Sequence, residues 1–108
     1  MKKIIPAFIL LIITSSCALS TYYAQNESQK YNKTTIENIS LFSNDIQKEY
    51  TVMGSIAVDA VGNASAAEKS LKKKASKIGA DAIIYCKLTK LNSFTQRTGI
   101  SGVAIKYN

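Results

Sequence analysis

Apolar and polar positions divide the chain into three stretches. Ile4 to Ile13 is a ten-residue apolar run broken only by Pro6 and preceded by Lys2 and Lys3. Ten helical residues rise about 15 Å, half the hydrocarbon thickness of a bilayer, so the run is too short for a retained transmembrane span. A basic start, a short apolar centre and then Thr14, Ser15 and Ser16 ahead of Cys17 have the form of a secretory leader covering 1–16. The second stretch, Ala18 to Lys33, is polar and carries Tyr22, Tyr23 and Tyr31 without apolar periodicity. It reads as a flexible spacer over 17–33. From residue 34 to residue 108 regular patterns return and define one small domain.

Within that domain, Ile36 to Phe42 alternates briefly, with Ile39 and Leu41 on one face, and predicts a first strand. Tyr50 to Asp59 alternates further: Val52, Gly54, Ile56 and Val58 face one way, and Thr51, Met53, Ser55 and Ala57 the other. Its β-branched content makes this a second strand. Gly62-Asn63 breaks the pattern, and Ser65-Ala66-Ala67-Glu68 has the spacing of a capping box. Ala67, Leu71, Ala75 and Ile78 then follow at helical intervals to form one apolar stripe, which Gly79 terminates.

A third strand is predicted from the alternation of Ala82, Ile84, Cys86 and Leu88 against Ile83, Tyr85 and Lys87. Thr89 to Thr98 reads as a polar loop containing Phe94, and Val103, Ile105 and Tyr107 alternate in a fourth strand. The order β-β-α-β-β implies an α+β two-layer domain, a sheet of about four strands covered by one helix. If the second and third strands are parallel neighbours, their crossover through the helix is expected to be right-handed.

Charge and cysteine content narrow the function classes. The chain carries a net +7 with no histidine, and without Lys2 and Lys3 it retains 12 Lys/Arg against 7 Asp/Glu. That balance suits anionic surfaces, and an exported protein meets phospholipid headgroups or acidic polymers rather than nucleic acid. The absence of histidine removes the commonest metal ligand and general base. No nucleophile motif, phosphate-binding loop or metal-spaced His/Cys set is present, so neither a catalytic residue nor a metal ligand nor a cofactor is assigned, and a non-enzymatic role is expected.

Thr14-Ser15-Ser16-Cys17 resembles the lipobox of bacterial lipoproteins, with Thr14 where that pattern prefers leucine. The resemblance implies that Cys17 receives diacylglycerol and becomes the first residue of the mature chain. Two or three acyl chains then make anchoring effectively permanent, because each buried methylene contributes about 0.8 kcal/mol. An ordinary leader cut after Ser20 is the alternative, since Ala18-Leu19-Ser20 also satisfies the small-x-small rule. Ala18 is not the aspartate that marks inner-membrane retention in some bacteria, so the outer membrane of the cell envelope is the expected location.

Tyr50-Thr51-Val52-Met53-Gly54, the lysine-rich helix with Ile78-Gly79-Ala80-Asp81-Ala82-Ile83, and the closing Gly102-Val103-Ala104 carry a second likeness. They resemble a group of small bacterial domains that includes the heavy-metal-binding domain family and, more distantly, the sensor lipoprotein of the Rcs envelope-stress system. The resemblance implies the fold. Gly54 in mid-strand is expected to mark a bulge or a close approach of the helix, and Asp81 to fix the turn into the third strand.

Three features are candidates for function. Cys17 is the lipidation site. Lys69, Lys72, Lys73 and Lys77 form a basic helix face suited to an anionic envelope surface. Cys86 reads as a buried thiol packed as a small hydrophobe. The expected protein is thus a membrane-anchored envelope lipoprotein whose domain acts as an interaction or envelope-sensing module, with an envelope protein or anionic polymer as partner. A small-ligand or metal-binding envelope protein, working as an oligomer, is the alternative.

Overall fold

The computed structural model describes residues 19–26, 30–92 and 96–108. The leader, Cys17 and Phe94 lie outside the described residues. The elements are β1 (Leu19–Ala24), a 3-10 turn (Ile36–Asn38), β2 (Ser40–Leu41), β3 (Tyr50–Val61), α1 (Ala64–Ile78), β4 (Ala82–Asn92) and β5 (Arg97–Tyr107). They form an α+β two-layer fold, one helix packed on a five-stranded mixed sheet of order β1-β3-β5-β4-β2. β5 lies between β3 and β4 and pairs antiparallel with both. The second and third predicted strands therefore share a sheet without being neighbours. β2 pairs parallel with β4 over two residues.

The largest correction falls on the spacer. Leu19–Ala24 is an edge strand, paired antiparallel with β3 from Leu19↔Asp59 to Ala24↔Gly54. Gly54 explains why it fits: a Cβ there would meet Ala24 Cα at 2.9 Å and the carbonyl of Tyr23 closer still. The close approach expected at Gly54 is thus made by a strand, not by the helix. Residues 31–35 are also held against the domain. The Thr34 N–H donates to Ser76 O at 3.1 Å, the Thr34 hydroxyl donates to Ala80 O at 2.7 Å, and the Ser76 hydroxyl donates to Thr34 O.

The predicted first strand is mostly irregular, although Ile39 and Leu41 do share the core-facing side. Ile39 is buried and Leu41 half-buried against the helix-side core. Only Ser40–Leu41 pairs, because the chain makes a 3-10 turn through Ile36–Asn38 just before. At the other end, the predicted polar loop over residues 89–98 is largely strand: β4 continues to Asn92 and β5 starts at Arg97.

α1 presents Ala67, Leu71 and Ala75, all fully buried, with Ile78 half-buried at its end. The two alanines let the helix settle closely, with Leu71 filling the space between, on Ile56, Val58 and Ala60 of β3 and Ile100 and Ala104 of β5. The cap differs from expectation. Asn63, extended at φ −86°, accepts the Ala66 N–H at 3.1 Å through Oδ1, so the helix starts ahead of the Ser65 box. Gly79 ends the helix in the left-handed conformation at φ 86°.

Two bulges set which side chains face the helix. In β3 the register slips between Val52 and Gly54. Met53 is thereby buried in the helix-side core while Val52 is 37% exposed, the reverse of the simple alternation. In β4 the register slips between Ile84 and Lys87, with Tyr85 at φ 53°. Ile83 and Cys86 consequently both pack on the helix side. Ala82, Ile84 and Ile105 form a second cluster on the opposite face, beneath Ile46, Tyr50, Val103 and Tyr107.

Candidate functional site

Among the described residues, the face of the sheet opposite the helix is covered at one end and open at the other. Near the Tyr50 end, the segment 45–48 lies across it. Ile46 packs on the Ala82–Ile84–Ile105 cluster, and the Lys48 ammonium stands 4.3 Å from the centre of the Tyr107 ring. The Asp45 carboxylate pins this segment by accepting from the Tyr50 hydroxyl at 2.7 Å and the Ile46 N–H at 2.8 Å. The Tyr50 hydrogen bond, then that of Ile46, holds the Asp45 carboxyl below its usual range; Tyr85 adds a smaller pull in the same direction. The same Asp45 bond pushes Tyr50 up to about 12.

Beyond that cover the sheet is open and forms a groove of about 590 Å³. Its floor follows directly from strand register. One row runs Thr21, Ala57, Ser101, Lys87 across β1, β3, β5 and β4, and the next runs Tyr23, Ser55, Val103, Ile84. Floor side chains are small or hydroxylated, whereas the walls are Tyr23, 74% exposed, and Tyr85, 48% exposed. Tyr23 stands on the edge strand. Tyr85 stands there because the left-handed bulge residue turns its ring away from the alternation, beside Asp45 of the covering segment. Lys87 supplies a cation at the β4 side.

The groove was not anticipated from the sequence. Half of it depends on β1, hidden in a polar stretch, and the other half on a bulge. The available signal was Thr21-Tyr22-Tyr23, three residues with strong strand preference. Tyr22 alternates to the helix side, where its hydroxyl donates to Met53 O at 3.1 Å and burial raises its pKa, with Tyr31 adding to the effect.

The predicted basic face is real as a surface feature. Lys69, Lys73 and Lys77 are exposed at successive four-residue intervals, and Lys72 is half-buried beside them. None of the four forms an ion pair with a described residue. The first turn of the helix holds no acidic residue. Like charges at this spacing repel by a few tenths of a kcal/mol per pair, so the stripe is a surface of unneutralised positive charge.

Cys86 is half-buried, donates to Ile83 O at 3.6 Å, and has its thiol pushed up by burial. It lies directly over Gly102, where a Cβ would come within 3.3 Å of its sulfur. Asp81 does more than shape a turn: Oδ2 accepts the Tyr107 N–H at 2.8 Å, and Oδ1 pairs with the Lys106 ammonium at 3.3 Å. Lys106 also donates to Gly79 O at 2.9 Å, so it neutralises the helix C-terminus. Arg97 pairs with Asp59 at 3.0 Å on the open face. Among the described residues, no three His, Cys, Asp or Glu side chains gather as a metal site, and no helix is long and apolar enough to cross a membrane.

No protein-family model matches the sequence, and no curated protein matches it. Among solved structures, the chain is similar to the crystal structure of a Francisella virulence factor, FvfA, with a TM-score of 0.59 and 16% identity. The match covers 82% of this chain and 97% of the other. At that identity the likeness is one of fold.

Proposed function

We propose that this chain is an envelope lipoprotein, anchored through Cys17, whose domain is a non-enzymatic interaction module working through the open groove of the sheet. The observation that carries the reading is the pairing of Tyr23 and Tyr85, both solvent-exposed, as walls over a floor of small and hydroxyl side chains. Exposed tyrosines around a concave floor are typical of recognition surfaces, since each offers a large rigid ring and a polar tip. Position in the chain supports the anchor. Processing before Cys17 leaves β1 whole, whereas a cut after Ser20 would remove Leu19 and Ser20 from the strand that forms one wall. The cell envelope, with the outer membrane as its expected membrane, supplies the partners: an envelope protein or an anionic polymer. Lys87 in the groove and the helix lysines favour a partner with negative charge.

A photo-crosslinking residue placed at Tyr23 in the cell-expressed protein tests this directly. A discrete adduct that disappears on adding Tyr85→Ala is expected, while the same probe at Glu37 gives none. Equal labelling from both positions, or an adduct indifferent to Tyr85, would remove the groove from the account.

A further inference from the structure

Cys17 and Leu19 are separated by two residue steps, and two extended residues span about 7 Å at most. Leu19 is not the start of a loose segment. It is paired with Asp59 at the edge of the sheet. Any lipid on Cys17 is therefore tied closely to one particular end of the domain. That end is made by the start of β1, the end of β3, the start of α1 and the start of β5, since Leu19 pairs with Asp59 and Val61 pairs with Arg97. The opposite end carries Ala24, Tyr50, Asp81 and the C-terminus of α1.

Two of the most exposed aliphatic side chains lie at the anchor end. Leu19 is 65% exposed and Val61 51% exposed. Register puts both on the open face, Leu19 beside Asp59 and Val61 two residues further along β3. The Arg97–Asp59 ion pair sits between them. Exposed aliphatics at the rim nearest a short lipid leash are placed where they can reach the headgroup–acyl boundary.

Resting on the anchoring proposed above, we infer that the domain stands on its own membrane through the Leu19–Val61 rim, with the C-terminal half of the lysine helix directed away from it. α1 runs from the anchor end outwards, and the thirteen residue steps from Ala64 to Lys77 rise about 20 Å. Lys77 thus lies more than two Debye lengths from the lipid headgroups, where their negative potential is screened to little. The basic stripe serves a partner facing the membrane, not the membrane that holds the anchor.

The chain contains no tryptophan, so a single introduced one reports its own depth. Full-length lipidated protein carrying Val61→Trp or Lys77→Trp is reconstituted into phosphatidylethanolamine–phosphatidylglycerol vesicles containing brominated lipid. Both sites are exposed, and Leu19→Trp replaces Val61→Trp if that variant does not fold. Quenching at least about threefold greater at position 61 or 19 than at position 77 is expected, because rim residues reach the headgroup–acyl boundary. Inserting about twelve Gly/Ser residues after Ala18 should abolish that difference, since a flexible leash of that length frees the domain to tumble. Equal quenching at the two ends, or a difference that survives the insertion, overturns the inference while leaving the anchor intact. Mass spectrometry before reconstitution separates the other failure: an unacylated Cys17 overturns the anchoring itself and this inference with it.

Discussion

The carboxylate of Asp81 accepts the backbone N–H of Tyr107 at 2.8 Å, joining the turn after the helix to the last residue of the central strand. Its second oxygen holds Lys106, which also caps the helix at Gly79 O. Helix end, β4 start and β5 end are thereby tied at one point. Asp81→Ala leaves the Tyr107 N–H and the Lys106 ammonium without this acceptor and is expected to lower stability by about 1–3 kcal/mol. Asp81→Asn, which keeps one acceptor oxygen, should cost less. Urea unfolding of the two variants against wild type gives the order.

Gly54→Ala drives a methyl group into the backbone of β1 at Tyr23 and Ala24. The expected cost is about 1–3 kcal/mol, as for other overpacked sites. Its signature is local: amide exchange should accelerate over Leu19–Ala24 before the rest of the sheet is affected. Unprotected exchange over those six residues already in wild type would return the segment to a spacer.

Most of the domain was legible from periodicity, and the failures have physical causes. The helix stripe Ala67, Leu71, Ala75 and the stop at Gly79 are where the sequence puts them, because a one-sided helix is written at fixed intervals. β1 was missed because an edge strand buries little: of its six residues only Tyr22 and Ala24 are even half-buried, so polarity resembles that of a linker. Strict alternation also misplaced Val52, Met53 and Cys86. A bulge inserts one residue and exchanges the two faces, and nothing in local composition announces it. The groove inherits both failures, since Tyr23 depends on β1 and Tyr85 on the β4 bulge.

The Asp45–Tyr50 hydrogen bond makes stability depend on pH at both extremes. Tyr50 rises from its model-compound value of 10.0 to about 12 in the fold, so its contribution is complete below 10 and is lost as pH climbs towards 12. Asp45 is lowered from 3.8, so its contribution is present above that value and is lost as pH falls through the lower folded one. Tyrosinate absorbance should show a component titrating near 12 that is missing in Tyr50→Phe and moves down in Asp45→Ala. A Tyr50 phenol titrating unchanged in Asp45→Ala would contradict the pairing.

Burial raises the Cys86 thiol, which lowers its thiolate fraction and screens it from reagents. In folded protein carrying Cys17→Ala, Ellman's reagent should react more slowly than in urea, because burial both disfavours the thiolate and shields the sulfur from attack. Cys86→Ser should leave anchoring and groove crosslinking unchanged.

The anchor at Cys17 is the claim on which location, orientation and the reach of the groove all depend. Acyl labelling and detergent-phase partitioning of wild type and Cys17→Ala test it most directly. Wild type is expected to take up labelled fatty acid and enter the detergent phase, with the mutant unlabelled and aqueous. Wild type that remains aqueous and unlabelled, or a mutant that partitions and labels as wild type does, would contradict the account.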